Sequence, residues 1–298
     1  MPVAPSDAKA RPTLGARLFV LMQYLLPQHA LSRLVLRATR SARPGLKNYL
    51  IANFVAHFRP DMSDARQSLP HAYGTFNAFF TRALRPEARP IAPDPDIIVS
   101  PVDGTISAMG RIHGSELLQA KGHGYSLAAL LAGAPDICAR FVDGNFATLY
   151  LAPYNYHRIH MPYGGTLKQA WYVPGRLFSV NATTAAGVPG LFARNERIVC
   201  LFEDGAFSFA LVLVGALFVG SMTTAWHGEV TPRTRRACEL KGAPGASLKL
   251  PKGAEFARFN MGSTVIVLLP PGQAEWNAAL TEGSRVKVGQ PLARRRST

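Results

Sequence analysis

The chain has 298 residues, of which 48% are hydrophobic, and its 33 Lys and Arg against 18 Asp and Glu give a formal net charge of +15. This composition excludes a disordered protein and allows one large domain or two smaller ones. The positive charge indicates a polyanionic partner, namely nucleic acid, an anionic membrane or phosphorylated metabolites.

Two amphipathic helices are predicted at the N-terminal end, over residues 14–26 and 30–43. No Asp or Glu occurs between residues 8 and 60, and Arg33, Arg37 and Arg40 form one basic stripe at helical spacing. The helices either pack on the rest of the protein or lie on a membrane surface. The missing acidic residues favour the second interpretation, in which these three arginines contact an anionic membrane.

A change near residue 86, from a helical pattern to short β-branched runs, predicts the domain organisation. Residues 46–85 are predicted to be helical, with Phe76, Phe79 and Phe80 on a packing face. After the proline-rich stretch RPEARPIAPDPD, short β-branched runs alternate with turn residues. We therefore predict an α+β protein, with a helical membrane-associating region over 1–85 and a β-rich catalytic domain over 86–298. Within that domain, SPVDGTI and VKVGQPL resemble elements of barrel-sandwich folds.

Two stretches of this domain carry candidate catalytic side chains. Asp103 lies in SPVDGTIS, where an Asp-Gly pair between strands is ordinarily a hairpin turn. His157 and His160 lie in YNYHRIHMP, and such a pair could bind a metal ion. No nearby carboxylate or cysteine completes a metal site, and the three cysteines of the chain form no CxxC pair. We therefore predict no metal cofactor.

A serine follows a glycine at the start of an apolar run in FNMGSTVIVLLP, residues 259–270. In chain order, Asp103, His160 and Ser263 make a set capable of nucleophilic catalysis. A strand rather than a helix is predicted after Ser263, and no G-x-S-x-G motif is present. Ser263 is therefore poorly placed to attack the ester of another molecule. Ser263 is better placed to attack the carbonyl of Gly262, because glycine does not hinder the approach and tolerates strained backbone.

Three functional classes stay open on these residues. They are a self-processing enzyme, a Ser-His-Asp lipid esterase and a noncatalytic membrane-binding module. Nucleic acid is not predicted as a partner, because the basic stripe lacks interleaved aromatic residues and no binding motif is found. No apolar run reaches the roughly 18 residues of a transmembrane helix. We therefore expect a peripheral protein on the cytoplasmic face of the cell (inner) membrane.

An ordered set of motifs between about residues 73 and 270 resembles the phosphatidylserine decarboxylase family in its bacterial, membrane-associated form. The motifs are TFNAFFTRALRPEARPI, SPVDGTIS, LQAKGHGYSLAALLAG, YHRIHMP, PGRLFSVN, NERIVCLFE and RFNMGSTVIVLLP. One departure is Met261, where the family has Leu before Gly-Ser-Thr. Both side chains are apolar and unbranched at Cβ, so we expect cleavage to survive.

The resemblance implies a proenzyme that cuts itself between Gly262 and Ser263 into a β chain, 1–262, and an α chain, 263–298. His160 would act as the base in this cleavage, with Asp103 to orient it, and Ser263 would become a pyruvoyl group. That group would form a Schiff base with phosphatidylserine and allow loss of CO2, with His157 as the proton donor, to give phosphatidylethanolamine. The family also implies a homodimer.

Overall fold

The helices of the chain are concentrated in its first third. The computed structural model describes residues 13–120, 123–132, 135–218, 221–231, 236–241 and 248–296. Residues 1–12 of the predicted membrane-associating region, and residues 121, 122 and 133 of the motif LQAKGHGYSLAALLAG, lie outside these ranges. The α-helices are α1 (Leu14–Leu25), α2 (Gln28–Thr39), α3 (Pro44–Phe58), α4 (Phe76–Phe80), α5 (Leu127–Leu130), α6 (Pro135–Ala139), α7 (Ala182–Gly187) and α8 (Leu191–Arg194).

The two amphipathic helices predicted first in the chain correspond to α1 and α2. The prediction of helix over 46–85 is wrong for its middle part, because α3 ends at Phe58 and only α4 and a 3-10 turn at Pro70–Ala72 follow. Arg59 adopts a left-handed conformation (φ 47°) after α3, and Pro60 follows it, so the helix cannot continue. Phe76, Phe79 and Phe80 are buried as predicted and pack against α3.

Helices α1 and α2 dock on the protein through polar side chains. Gln23, 1% exposed, donates a hydrogen bond to Thr184 Oγ1 (3.0 Å) and accepts one from the Ser179 N–H (2.7 Å). Gln28 accepts one from the Leu177 N–H (2.9 Å). Buried amides that are satisfied in this way hold the two helices in one orientation.

The leucines of α1 face away from the protein, whereas Val20 packs against the core. Leu14 is 73% exposed and Leu25 is 77% exposed, and Leu18, Leu21 and Met22 are also exposed. The helices thus pack on the rest of the protein, as the first of the two interpretations above has it, but the leucine face of α1 is left uncovered by the described residues. A helix with its polar side on the protein and its apolar side outward has the orientation that an interfacial anchor needs.

Antiparallel strands form the rest of the described structure. They are β1 (Ile97–Val99), β2 (Gly104–Arg111), β3 (Glu116–Ala120), β4 (His123–Ser126), β5 (Asn145–Leu151), β6 (Arg158–His160), β7 (Gly165–Val173), β8 (Arg197–Asp204), β9 (Phe207–Val214), β10 (Met222–Thr224), β11 (Gly228–Val230), β12 (Cys238–Glu239), β13 (Lys249–Leu250), β14 (Glu255–Phe259), β15 (Ser263–Leu269), β16 (Ala274–Trp276), β17 (Arg285–Val286) and β18 (Pro291–Arg295).

In the described ranges these strands build a nine-stranded sheet, β12-β7-β8-β9-β15-β5-β2-β17 with β13 beside β7, and a four-stranded sheet, β11-β10-β14-β6. Smaller sheets join β1-β18-β16 and β3-β4, and the described strands close into no barrel. The α+β prediction is confirmed. SPVDGTI and VKVGQPL, which resemble barrel-sandwich elements, do lie together, since β1 pairs with β18 and β2 with β17.

The strand predicted from the apolar run after Ser263 is the centre of the largest sheet. β15 pairs with β5 on one side and β9 on the other, and all seven of its residues are buried. A strand buried on both faces reads as a continuous apolar run, which explains the pattern VIVLL. Ser263, the first residue of β15, is therefore held by backbone hydrogen bonds within the core.

A buried carboxyl just before β8 makes the stability of the protein dependent on pH. Glu196 is 1% exposed, accepts a hydrogen bond from the Tyr172 hydroxyl (3.1 Å), and has its pKa raised by burial to about 7. Its unfolded pKa is near 4.5. Folding therefore loses stability as pH rises from 4.5 to 7, by on the order of 2–3 kcal/mol, because the native carboxyl must ionise while buried.

We predict that Glu196→Gln raises the melting temperature at pH 8 by several degrees and leaves it nearly unchanged at pH 4.5. The amide keeps an acceptor for the Tyr172 hydroxyl and removes the buried charge. Calorimetry at the two pH values measures the effect. If Glu196→Gln lost the same stability at both pH values, ionisation of Glu196 would not be what destabilises the folded protein at pH 8.

Candidate active site

The Gly262–Ser263 bond, which is predicted to be cut, lies at the N-terminal end of β15. Gly262 directly precedes the strand, and Ser263 pairs with Leu151 of β5. The Ser263 side chain is 1% exposed, and its Oγ has no hydrogen-bond partner among the described residues. A buried hydroxyl without a partner costs free energy, which makes this position unusual for a serine with only a structural role.

Gly262 is not among the glycines with left-handed backbone. A Cβ built on Gly262 would lie 3.6 Å from His157 Nε2 and 3.8 Å from the Leu151 carbonyl oxygen, which are ordinary contact distances. The glycine instead leaves open the space between the His157 ring and the peptide bond.

His157 is fully buried beside this bond. Its ring packs against Phe80, tilted by 36° at 4.1 Å between centroids, and its Nδ1 donates to the Asn155 carbonyl oxygen at 2.8 Å. Burial lowers the pKa of His157 to about 3, so the ring is neutral at physiological pH. Because Nδ1 carries the proton, Nε2 holds a lone pair, and it has no partner in the described part of the chain. His157 Nε2 is therefore a free proton acceptor next to Gly262.

His160 is on β6 and has both ring nitrogens in hydrogen bonds. Its Nδ1 donates to the Gly253 carbonyl oxygen (2.8 Å), and its Nε2 accepts from the Tyr156 hydroxyl (3.0 Å). Burial lowers its pKa. The two histidines, three residues apart in extended chain, thus turn to different surroundings. The described residues contain no group of three or more His, Cys, Asp or Glu arranged to hold a metal ion.

Asp103 lies between β1 and β2, which belong to different sheets, so its Asp-Gly pair is not a hairpin turn. Its carboxylate accepts from Arg89 Nε at 3.0 Å and from the Val288 N–H at 2.9 Å, and Arg89 also contacts Asp64 at 2.8 Å. Burial alone lowers the pKa of the Arg89 guanidinium, but its hydrogen bonds to Asp103 and Asp64 reverse the direction and raise it. The Asp103 carboxylate is therefore held by hydrogen bonds from Arg89 and the Val288 N–H.

The hydrogen bonds of the uncut chain thus differ from the triad implied by the resemblance. In the described residues, Asp103 and His160 form no hydrogen bond with each other. Arg89 Nε and Nη2 both donate to the Asp103 carboxylate, and such a bidentate contact is not available to an imidazole. Ser263 Oγ is bonded to neither group. The structure brings Ser263, Gly262 and His157 together, and places His160 and Asp103 in hydrogen bonds with other residues.

The segment before the cut is clamped by side chains that the sequence did not single out. Asn260 Nδ2 donates to Ser221 Oγ at 2.6 Å, and the Asn260 carbonyl oxygen accepts from Asn77 Nδ2 at 2.7 Å. Arg40, which is also predicted to contact the membrane, reaches Ser221 Oγ (3.4 Å) and forms an ion pair with Glu229. These contacts fix the chain two residues ahead of Gly262.

Sequence reasoning also missed Arg89 and Tyr156, although both lie in motifs that were quoted. Arg89 is the second of two arginines inside a proline-rich connector, and Tyr156 directly precedes His157. Their partners, Asp103 and His160, lie within 14 and four residues along the chain. A charged residue between prolines, ahead of a buried strand, is the signal that could have indicated Arg89.

Comparison with known proteins gives a consistent result over nearly the whole chain. A family model described as phosphatidylserine decarboxylase matches residues 76–294, and one described as PSD matches residues 18–59. Proteins named phosphatidylserine decarboxylase proenzyme are similar to it in Methylococcus capsulatus (49% identity; 94% of this chain, 97% of the relative) and Ectopseudomonas mendocina (51%; 93% and 97%). Another is that of Chromobacterium violaceum (50%; 94% and 100%). The chain therefore belongs to the phosphatidylserine decarboxylase family, which confirms the membership that its motifs imply.

Proposed function

We propose that this chain is a proenzyme that cuts itself between Gly262 and Ser263 and then decarboxylates phosphatidylserine to phosphatidylethanolamine, a step of phospholipid biosynthesis. The observation that carries the proposal is the buried, unpartnered Ser263 Oγ directly after Gly262, beside the free Nε2 of His157, in a chain of this family. The reaction is that of a carboxy-lyase with a pyruvoyl group made from Ser263.

The self-cleavage balances as an acyl shift followed by elimination. Ser263 Oγ gives its proton to a base and attacks the Gly262 carbonyl carbon, the peptide C–N bond breaks, and an ester joins the two residues. Removal of the Cα proton of residue 263 expels the Gly262 carboxylate. Water then adds to the dehydroalanine at position 263 and ammonia leaves, which gives the pyruvoyl group at the start of the α chain.

The base in this cleavage is proposed to be His160, with Asp103 as the group that orients it. This assignment rests on the family resemblance. It requires that His160 Nε2 exchange the Tyr156 hydroxyl for Ser263 Oγ, because both ring nitrogens are hydrogen-bonded in the uncut chain. The structure favours His157 as the alternative base, since its Nε2 is free and adjacent to Gly262.

The residues around position 263 fit a pyruvoyl group. The unpartnered Ser263 Oγ is its precursor, and the unpartnered His157 Nε2 lies beside it. When present, its carbonyl supplies a sink for the electron pair released as CO2 leaves. His157 then returns a proton through Nε2 to the substrate α-carbon. An anionic substrate next to the ring raises the pKa of the imidazole and lets it carry that proton.

The strands explain how the two fragments stay together after the cut. β15 pairs with β5 and β9, β17 with β2, and β18 with β1, so three strands of 263–298 are hydrogen-bonded to strands of 1–262. The Val288 N–H also donates to Asp103 across the two fragments. We expect the α and β chains to remain one folded protein.

The esterase alternative is not favoured. In the uncut chain Ser263 is 1% exposed at the start of a central strand, so its Oγ is not presented to an external ester. Incubation with phosphatidylserine vesicles, with lipid mass spectrometry as the readout, tests the proposed function. We expect one phosphatidylethanolamine for each phosphatidylserine lost. Release of a free fatty acid instead would establish the esterase.

We also propose that the protein binds the inner membrane from its cytoplasmic face through α1 and α2. The outward apolar face of α1 and the exposed Arg33 and Arg37 of α2, which form no ion pair with any described residue, support this placement. Among the described residues, no helix has the length and apolar character to cross a bilayer. A homodimer is proposed from the family resemblance alone, and sedimentation would test it.

We predict that the double variant Leu18→Gln, Leu25→Gln weakens binding to anionic vesicles by roughly 10- to 100-fold, because two leucines then no longer enter the apolar boundary of the bilayer. Both side chains are exposed in the protein, so the melting temperature should stay unchanged. Co-sedimentation with vesicles that contain phosphatidylserine measures the effect.

The matched control is Leu69→Gln, an exposed leucine outside the helices, which should bind vesicles like the parent protein. Binding of the parent should also weaken at high salt, because the arginines of α2 act through screened charge. Unchanged binding by the double variant would contradict an anchor built from α1.

A further inference from the structure

A buried guanidinium near the active site lacks acceptors for most of its donors. Arg82 is 3% exposed and donates from Nη2 to the Tyr154 carbonyl oxygen at 3.1 Å. Its Nε and Nη1 have no acceptor among the described residues, and the group lies over the Phe79 ring at 5.9 Å. An arginine stays charged in proteins, so N–H groups left unpaired in the interior are costly and call for an anion.

Arg82 lines a cavity of about 240 Å³ whose wall also includes Asp103 and Tyr156. Asn155, whose carbonyl oxygen holds His157 Nδ1, is part of the same wall. Burial is the larger cause of the lowered pKa of His157, and the charge of Arg82 also lowers it, so the two side chains are within electrostatic reach of each other. A ligand held by Arg82 in this cavity would lie close to the segment that positions His157.

The cavity has an excess of positive charge for such a ligand. Its charged lining consists of four basic residues, Arg82, Arg89, Arg285 and Lys287, and three acidic residues, Asp61, Asp64 and Asp103. Arg89 is engaged by both Asp64 and Asp103, and Asp61 is bonded to Ser63. Arg82 is thus the buried cation of this wall with donors to spare.

We propose that Arg82 binds the phosphodiester of the phospholipid substrate through an N–H group that lacks an acceptor. The proposal rests on the proposed function, and it names the substrate contact that the sequence does not reveal. A charge-assisted hydrogen bond from a guanidinium to a phosphate oxygen is shorter and stronger than a neutral one. The seryl carboxylate is the poorer choice, because a buried cation that stabilises it would oppose its departure as CO2.

The choice of phosphodiester has a kinetic consequence. Substrate and product share this group, so its contact with Arg82 stabilises the bound substrate, the transition state and the product alike. Loss of the contact then raises KM and weakens product binding together, and leaves kcat nearly unchanged. A carboxylate contact would behave differently, because phosphatidylethanolamine no longer carries that group.

The test compares the processed enzyme with Arg82→Gln and Arg82→Lys, using short-chain phosphatidylserine as substrate and short-chain phosphatidylethanolamine as product inhibitor. For Arg82→Gln we expect KM and the inhibition constant to rise in parallel by about 10- to 100-fold, with kcat within a few-fold of the parent. Arg82→Lys, which keeps the charge without the planar guanidinium, should fall between Arg82→Gln and the parent. The control is Arg85→Gln, an exposed arginine of the same segment.

Three results would overturn the proposal. They are a rise of KM without a rise of the inhibition constant, no change in either constant, and a loss confined to kcat. If Arg82→Gln does not fold or mature, inhibition of the parent enzyme is measured instead. Glycerophosphoethanolamine should compete with substrate, and ethanolamine at equal concentration should not. Equal inhibition by both would refute the phosphodiester contact. Failure of the proposed function is distinct, since the parent would then form no phosphatidylethanolamine.

Discussion

Replacement of Ser263 with alanine should leave the protein as one chain of 32.2 kDa and abolish decarboxylation. The alanine removes the only atom that attacks Gly262 in the proposed acyl shift, and with it the precursor of the pyruvoyl group. Because Ser263 Oγ has no hydrogen-bond partner among the described residues, its loss should not destabilise the fold. Denaturing electrophoresis, the melting temperature and the lipid assay measure the three effects.

The neighbouring Thr264 supplies the matched control. Its Oγ1 is also buried without a partner in the described structure, and it lies in the same strand. Thr264→Val removes a hydroxyl of the same kind at nearly constant volume, and should leave cleavage and activity intact. Cleavage of Ser263→Ala at the same bond, or equal loss of cleavage in Thr264→Val, would contradict the assigned nucleophile.

The second large effect is that replacement of His160 and replacement of His157 should block different steps. We expect His160→Gln to accumulate as uncut proenzyme, because it removes the base for cleavage. We expect His157→Gln to be cut but to lose activity by roughly 10²- to 10⁴-fold, the usual contribution of a general acid or base. For each variant, electrophoresis measures cleavage and lipid mass spectrometry measures activity in the same protein preparation.

The control for this pair leaves both rings in place and removes one hydrogen bond to His160. Tyr156→Phe removes the hydroxyl that His160 Nε2 accepts, so it should free that nitrogen and permit cleavage. The opposite pattern, with His157→Gln uncut and His160→Gln cut, would transfer the role of base to His157, where the uncut structure places a free nitrogen. Normal cleavage and activity in both variants would refute the mechanism.

Much of the fold is readable from local patterns. Helical spacing predicts α1 and α2, and the apolar run after Ser263 predicts β15, because a strand buried on both faces needs no alternation. Periodicity does not say which face of a helix is docked. In α1 the leucine stripe faces outward and Gln23 is buried, since its amide finds partners in Thr184 and Ser179.

The site was only partly predictable for a similar reason. The Gly262–Ser263 bond follows from the residue types and the strand, and family motifs indicate His157, His160 and Asp103. The motifs do not reveal that Arg89 holds Asp103, because that contact depends on how a proline-rich connector folds back on the sheet. Charge pairing between distant segments is a property of tertiary structure, so spacing alone cannot give it.

The measurement closest to the central claim is the intact mass of each fragment from the active protein. We predict a fragment of residues 1–262 with a free carboxyl terminus. The second fragment, 263–298, should be lighter by one ammonia than the same peptide with an N-terminal serine, and should resist sequential degradation from that end. An active protein that shows one undivided mass, or a second fragment that begins with an unmodified serine, would contradict the account.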